Sequence, residues 1–169
     1  MTKLMMPKVD RKLLLKKDTI IANLKKIIRA ENVLDHEDQV RPYETDALSA
    51  YKQKPLAVVF PENTKEVSKI LKYCNEERIK VVPRGAGTGL SGGALPLADG
   101  ILLCLGKFNK ILEIDYKNRC VVAQPGVTNL SITQAVQDQN FYYAPDPSSQ
   151  IACSIGGNVA ENSGGIHSL

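Results

Sequence analysis

Nine of the twelve glycines in this 169-residue chain fall in two short stretches. Gly85, Gly87, Gly89, Gly92 and Gly93 form the first, and Gly156, Gly157, Gly164 and Gly165 the second. Glycine loses more backbone freedom on ordering than any other residue, so such density needs a reason that only glycine satisfies. The first stretch follows directly on Ile79 to Val82, a short apolar run that predicts a strand. Glycines there predict a backbone that turns with positive φ and brings its N–H groups close to an anion, a nest for phosphate. Arg84 adds a charge to that loop, and Thr88 and Ser91 add hydroxyl donors. A merely flexible surface loop would not explain five glycines directly after a buried strand. A branched side chain at Gly87 or Gly89 is therefore expected to abolish ligand retention.

By letters, Gly87-x-Gly89-x-x-Gly92 matches the dinucleotide fingerprint. That fingerprint opens a helix inside a strand–helix–strand unit. Here only Ala94 to Gly100 precedes the next apolar run, and Pro96 lies within it. A crossover needs about ten to twelve residues, so a Rossmann unit does not fit. The nucleotide-triphosphate loop does not fit either, because Gly92 is followed by Gly93-Ala94 rather than Lys and a hydroxyl residue.

Apolar spacing at 20, 21, 24, 27 and 28 predicts a helix over 19–30, with Asp18 as its N-cap. Residues 31–54 are polar, contain Pro42 and read as an irregular connection. Pro55 to Phe60 predicts a strand, Asn63 and Glu66 have capping-box spacing, and Val67, Ile70, Leu71 and Cys74 share one helical face. With Ile79 to Val82 this makes a strand–helix–strand unit, which favours parallel pairing. Ile101 to Leu105 predicts a third strand, and Lys110 to Asp115 with Arg119 to Gln124 a hairpin about Lys117-Asn118. Leu130 to Gln139 predicts a helix capped by Thr128 or Asn129. Residues 145–149 carry little regular signal.

Composition narrows the function classes. Hydrophobic residues are 43% and charged residues 24% of the chain, ordinary for a globular domain. The net charge of +4 is uneven, because residues 1–30 hold nine Lys/Arg against two Asp/Glu and no Lys or Arg follows Arg119. The basic residues are thus away from the glycine stretches, which argues against a nucleic-acid surface. No apolar run is long enough for a transmembrane helix or a secretory signal, so a cytoplasmic location is expected. Cys74, Cys104, Cys120 and Cys153 lie 30, 16 and 33 residues apart. With only His36 and His167 to help, that spacing suits no metal site and predicts four buried or half-buried free thiols.

Three segments carry a family resemblance: Val82-Pro-Arg-Gly-Ala-Gly-Thr-Gly-Leu-Ser-Gly-Gly-Ala-Leu-Pro96, Gln124-Pro-Gly-Val127, and the run from Tyr143 to Gly165 that holds Pro145-Asp-Pro and Ser154-Ile-Gly-Gly-Asn-Val-Ala-Glu-Asn-Ser-Gly-Gly165. Pro42-Tyr43-Glu44 and Leu48-Ser49-Ala50-Tyr51 extend it. The chain resembles the FAD-linked oxidases of the vanillyl-alcohol oxidase and p-cresol methylhydroxylase type, on the side of glycolate oxidases and D-lactate dehydrogenases. The resemblance implies an α+β FAD-binding domain: a small parallel α/β subdomain, then the start of a larger α+β subdomain. Residues 1–50 would be an N-terminal helix and connection, and 51–169 the FAD-binding domain, incomplete at its C-terminal side. It implies FAD as cofactor, with Arg84, Gly85, Ala86, Gly87, Thr88, Gly89, Ser91, Gly92 and Gly93 around its pyrophosphate. Pro145, Asp146, Ser154, Ile155, Gly156, Gly157, Asn162 and Gly165 would line the other side.

The resemblance further implies oxidation of a small 2-hydroxy acid by the whole protein, with an iron–sulfur partner subunit as electron acceptor. Any attachment to the inner membrane would run through such partners. The family's substrate-binding residues, metal ligands and base lie beyond the part that this chain resembles, so no catalytic residue is assigned. A non-catalytic FAD- or nucleotide-binding chain of a complex, or an inactive truncated product, remain alternatives. From the residues alone, His36 is expected to be solvated, His167 to be a polar wall or exposed residue, and Glu161 to be structural. Asp146, held between two prolines, either orients a turn or touches the cofactor.

Overall fold

The computed structural model describes residues 6–167. Its centre is a four-stranded sheet in the order β1-β2-β4-β3, built from Val33–Leu34, Ala57–Val59, Gly100–Cys104 and Lys80–Arg84 respectively. β2, β4 and β3 run parallel, and β1 adds antiparallel to β2 through Val33 opposite Val59. The strand–helix–strand unit is parallel as expected, but β2 and β3 are not neighbours. β4 inserts between them, pairing Val58 with Leu102 and Val82 with Leu102 from its two sides. All five residues of β4 are buried, which is the continuous apolar signature of a central parallel strand. Pro83 is tolerated inside β3 because β3 is an edge strand and needs no ladder bond on its outer side.

Helices α1 (Arg11–Leu15), α2 (Lys17–Ile27) and α4 (Thr64–Glu76) cover one face of the sheet. Ile20, Leu24 and Ile70 are almost wholly buried there against Ala57, Val59 and Ile101. Full burial of each such side chain is worth about 1.5–3 kcal/mol. The other face is covered by Val40, Leu34, Tyr43, Phe60 and Leu97 over Val58, Val82 and Leu102. α4 starts where the sequence places it: Asn63 accepts from Glu66 N at 3.0 Å, and Glu66 returns to accept from Glu62 N at 2.8 Å. Leu71 departs from its expected place on the buried face and is 45% exposed, whereas Ile70 and Cys74 are buried and Val67 and Tyr73 pack against the same core.

Other boundaries differ too. The expected helix over 19–30 runs instead from Lys17 to Ile27, so Asp18 lies in its first turn rather than at its cap. It ends where Ile28 turns extended, and Ala30–Asn32 forms a separate 3-10 turn. The connection 31–54 is more ordered than its polarity suggests: it contains β1, α3 (Glu37–Val40) and a 3-10 turn at Arg41–Tyr43. A two-residue strand carries no periodicity to detect. His36 is exposed at the start of α3, as expected.

A two-stranded antiparallel sheet follows, β5 (Ile111–Asp115) and β6 (Cys120–Ala123). Its turn is held by Asp115 accepting from Asn118 N at 2.9 Å, with Arg119 at φ 56°. Helix α5 (Asn129–Val136) is capped by Thr128 and closes in a 3-10 turn at Gln137–Gln139. Helix α6 (Ile155–Glu161) was not legible in the sequence, because Gly156 and Gly157 in its first turn mask its start. Ser154 caps it, accepting from Gly157 N at 3.4 Å. The two sheets and the helices between them give the mixed α+β architecture with a parallel first subdomain.

Candidate functional site

The glycine loop leaves the C-terminal end of β3, the end of parallel strands where ligands bind in open α/β sheets. No helix forms between Arg84 and Gly100, so the loop is not a Rossmann turn. Gly87 and Gly92 take φ of +73° and +77°, the left-handed region the glycine density predicts. Among the described residues, none of the N–H groups from Gly85 to Gly93 donates to a carbonyl or a side chain. Ala86, Leu90, Ser91 and Gly93 are exposed and the other five half-buried, so these N–H groups are open to the cleft and able to meet solvent or a ligand.

The loop is braced from behind by the connection that the sequence left irregular. Arg84 Nη1 donates to Thr45 O at 2.7 Å, and the guanidinium lies 5.8 Å from the centre of the Tyr43 ring. Ala47 N donates to Gly87 O at 2.9 Å. Asp46 is buried, accepting from Leu48 N at 2.9 Å and from Ala94 N at 3.3 Å, and so fixes the loop's exit. Asp46 carries no motif of its own; the only signal was an aspartate able to accept from its own backbone two residues on, an Asx turn. Burial pushes the Tyr43 hydroxyl up from its ordinary pKa, although the nearby Arg84 acts in the opposite direction. Burial also pushes the Cys104 thiol, at the end of β4, up to about 12.

The second glycine stretch lies across from the first. Ser154 at the cap of α6 and Gly156, Gly157, Asn158 and Glu161 within it, with Pro125 and Pro147 to Ser149, form the opposite wall of a cleft of about 780 Å³. Pro125 packs so tightly that a Cβ on Gly156 would stand 2.7 Å from its Cβ. Asn129 Nδ2 donates to Pro145 O and to Asn158 Oδ1, both at 3.0 Å, and Asn158 Nδ2 in turn donates to Cys153 Sγ at 3.2 Å. This buried set ties α5, α6 and the Pro145 segment together.

Of the expected cofactor-binding residues, Arg84, Gly85, Ala86, Gly87, Thr88, Gly89, Ser91, Gly93, Ser154, Gly156 and Gly157 line this cleft. Gly92, Pro145, Asp146, Ile155, Asn162 and Gly165 do not. Ile155 instead faces a separate apolar pocket of about 390 Å³ with Ile132, Phe141 and Tyr143. Asn162 takes the left-handed conformation that ends α6. Asp146 orients a turn: its N–H donates to Gly164 O at 2.7 Å, and its carboxylate accepts from His167 N at 3.1 Å and meets His167 Nδ1 at 2.7 Å. Those His167 bonds hold the Asp146 carboxyl below its ordinary pKa. All four cysteines are free thiols in this structure; Cys74, Cys104 and Cys153 are buried, but Cys120 on β6 is exposed, contrary to expectation.

Comparison with known proteins agrees with this geometry. The model of the FAD binding domain family matches residues 55–169. The chain is 51% identical over 164 residues to the glycolate oxidase subunit GlcD of Escherichia coli K12, covering 97% of this chain and 32% of that protein. It is 38% identical over 145 residues to a D-lactate dehydrogenase of Anaerostipes hadrus, covering 85% of this chain and 30% of that one. Among solved structures it superposes on p-cresol methylhydroxylase with a TM-score of 0.75 at 25% identity, over 89% of this chain and 30% of that one. The chain therefore spans about a third of the length of the relatives it matches. With unpaired loop N–H groups, two converging glycine stretches and a family match over most of its length, the chain belongs to the FAD binding domain family, in its vanillyl-alcohol-oxidase-type branch.

Proposed function

We propose that this chain is the FAD-binding part of a flavin-dependent 2-hydroxy-acid oxidoreductase acting on glycolate or D-lactate, and that the glycine cleft takes the diphosphate of the cofactor. The observation that carries it is the run of N–H groups from Gly85 to Gly93 with no acceptor among the described residues, lining a cleft with Ser154 and Gly157. The fit to FAD rests on that donor set: backbone N–H groups and the hydroxyl of Thr88 suit a diphosphate bridge, whereas the Ser91 hydroxyl is engaged by Glu161. The loop would hold it from one side, and Ser154, Gly156 and Gly157 from the other. Pro145, Asp146, Ile155, Asn162, Gly92 and Gly165 would act from behind, by fixing the backbone of the two walls. When bound, FAD supplies the two-electron acceptor for the hydroxyl-bearing carbon of the substrate.

The division at about residue 50 belongs to the same reading: the family match begins at residue 55. So do an iron–sulfur subunit as electron acceptor and attachment to the inner membrane through partners. No helix among the described residues is long and apolar enough to cross a membrane.

Each N–H bond to a charged phosphate is worth about 1.5–3 kcal/mol, against an association cost of about 4–15 kcal/mol. The loop alone thus roughly balances that cost, and tight binding needs the adenine and flavin rings buried as well. Removing the hydroxyl proton also needs a placed base. We therefore expect the isolated chain to bind FAD weakly and to reduce no dye with either acid. Titration with FAD followed by flavin fluorescence, and a dye-reduction assay with both acids, test this. Absence of any fluorescence change refutes the cofactor reading, and ordinary turnover refutes the absence of a base in this chain.

A further inference from the structure

Glu161 closes α6, and its carboxylate reaches back across the cleft onto the glycine loop. Ser91 Oγ donates to Glu161 Oε2 at 3.0 Å. The other oxygen, Oε1, would stand 3.5 Å from a Cβ on Gly89 and 3.3 Å from a Cβ on Gly93. Two of the loop's glycines therefore leave the room in which this carboxylate sits. Among the described residues, no Lys, Arg or His lies within ion-pair distance of it. Arg84, the one cation of the loop, is engaged by Thr45 O and the Tyr43 ring. A loop rich in unpaired N–H groups thus carries, at its own rim, an uncompensated negative charge.

The two features sort anions differently. Short-range N–H donors accept a phosphate of any kind, whereas a fixed carboxylate repels a ligand in proportion to the charge it brings. A nucleoside triphosphate brings more charge than the diphosphate bridge of a dinucleotide, which is flanked by uncharged sugar and ribityl groups. We propose that Glu161 is a specificity-determining residue of the cleft: held by Ser91, its carboxylate turns away polyanionic nucleotides and admits a dinucleotide with a single diphosphate bridge. This rests on the cofactor reading above and adds to it the basis of selection. Glu161 selects and does not react.

The test is Glu161→Gln in the full 169-residue chain, with FAD, ADP, ATP and riboflavin as ligands in equilibrium dialysis. Glutamine keeps the shape and the Ser91 partner while removing the charge. Glu161 and Ser91 are exposed, so one like-charge contact at a few ångströms corresponds to a factor of about three to five in affinity. ATP is expected to gain most, ADP with its ionised terminal phosphate next, FAD by about that single-contact factor, and riboflavin not at all. Raising the salt should narrow the parent's preference for FAD over ATP, since exposed charges are screened. Ser91→Ala, which frees the carboxylate, should give the same order with smaller gains. A gain for riboflavin equal to that for ATP, or weaker FAD binding in the glutamine variant, overturns the proposal. If parent and variant bind the phosphate ligands equally, only the role of Glu161 falls. If neither binds any of them, the cofactor reading falls and takes this one with it.

Discussion

Alanine placed at Gly87 and, separately, at Gly89 should cause two different failures, although the positions are two apart in one loop. Gly87 has φ +73°, and a Cβ there would run into the Arg84 guanidinium. An L-residue in the left-handed region costs about 1–2 kcal/mol. Displacing Arg84 also loses its bond to Thr45 O, worth about 1.5–3 kcal/mol for a charged donor, and its place near the Tyr43 ring, worth about 0.5–1 kcal/mol. The sum is about 3–6 kcal/mol, a large share of a typical domain stability of about 5–15 kcal/mol. For a chain of this size each kcal/mol moves the melting temperature by about 2–4 °C, so Gly87→Ala should melt about 6–24 °C below the parent. At Gly89 the φ is ordinary and the nearest atom to a Cβ is Glu161 Oε1 at 3.5 Å, an ordinary contact. Gly89→Ala should therefore melt with the parent and lose affinity for FAD, because its methyl group projects into the cleft. Calorimetry and flavin titration on both variants separate the two effects. A Gly87→Ala protein melting within about 3 °C of the parent, the scale of a 1 kcal/mol change, would refute the reasoning about Arg84.

Further outcomes follow from the buried groups. Cys74 and Cys104, both pushed up to about 12 by burial, should resist thiol reagents in the native protein, while exposed Cys120 reacts at once and all four react after unfolding; rapid native labelling of Cys74 would count against the core assignment. Burial opposes ionisation of Asp99, but Lys80 Nζ and Asp10 N, each at 2.7 Å, outweigh it and hold the carboxyl below its ordinary pKa. The unfolded chain therefore binds that proton more readily, so stability is present above the ordinary carboxyl range and declines as pH falls through the folded-state value. Asp99→Asn should cost about 1–3 kcal/mol near neutrality and flatten that acid limb in urea titrations. His167→Ala should return the Asp146 carboxyl toward its ordinary pKa, read by carbon NMR, with little change in melting temperature. Ile70→Ala should cost about 2–5 kcal/mol, the usual price of a large-to-small change in a closed core, and a loss below about 1 kcal/mol would mean that α4 is not docked as described.

How far the sequence spoke depends on what kind of signal each part carries. The unit from Pro55 to Val82 was legible because apolar runs, an Asn63 cap and a helical stripe all agree. The pairing of β3 with β4 rather than with β2 was not, since periodicity reports which faces are buried and is silent about strand order. The glycine loop was legible through density alone, but its brace was not: Thr45, Ala47 and Asp46 act through a carbonyl, an N–H and a single carboxylate, and none leaves a pattern. Helix α6 was hidden because Gly156 and Gly157, poor helix formers, occupy its first turn, where contact with Pro125 excludes larger residues. Expected neighbours such as Asp146 and Ile155 came from motif position, and position along a motif does not say which side of the backbone faces the cleft.

The insertion of β4 between β2 and β3 also sets a timetable. The middle strand of the sheet is the last of its parallel three to leave the ribosome, after residues that form both its flanks. Until residue 104 is free, the facing edges of β2 and β3 have no strand between them, and the apolar stripes of α2 and α4 have an incomplete floor. The first half of the nascent chain is then an aggregation hazard that a single five-residue strand removes in one step. Slow closure of non-local parallel pairs is the corresponding kinetic cost. Amide exchange on ribosome-bound chains of increasing length should show protection of Ala57 to Val59 and Lys80 to Arg84 arriving together, and only once Gly100 to Cys104 has emerged.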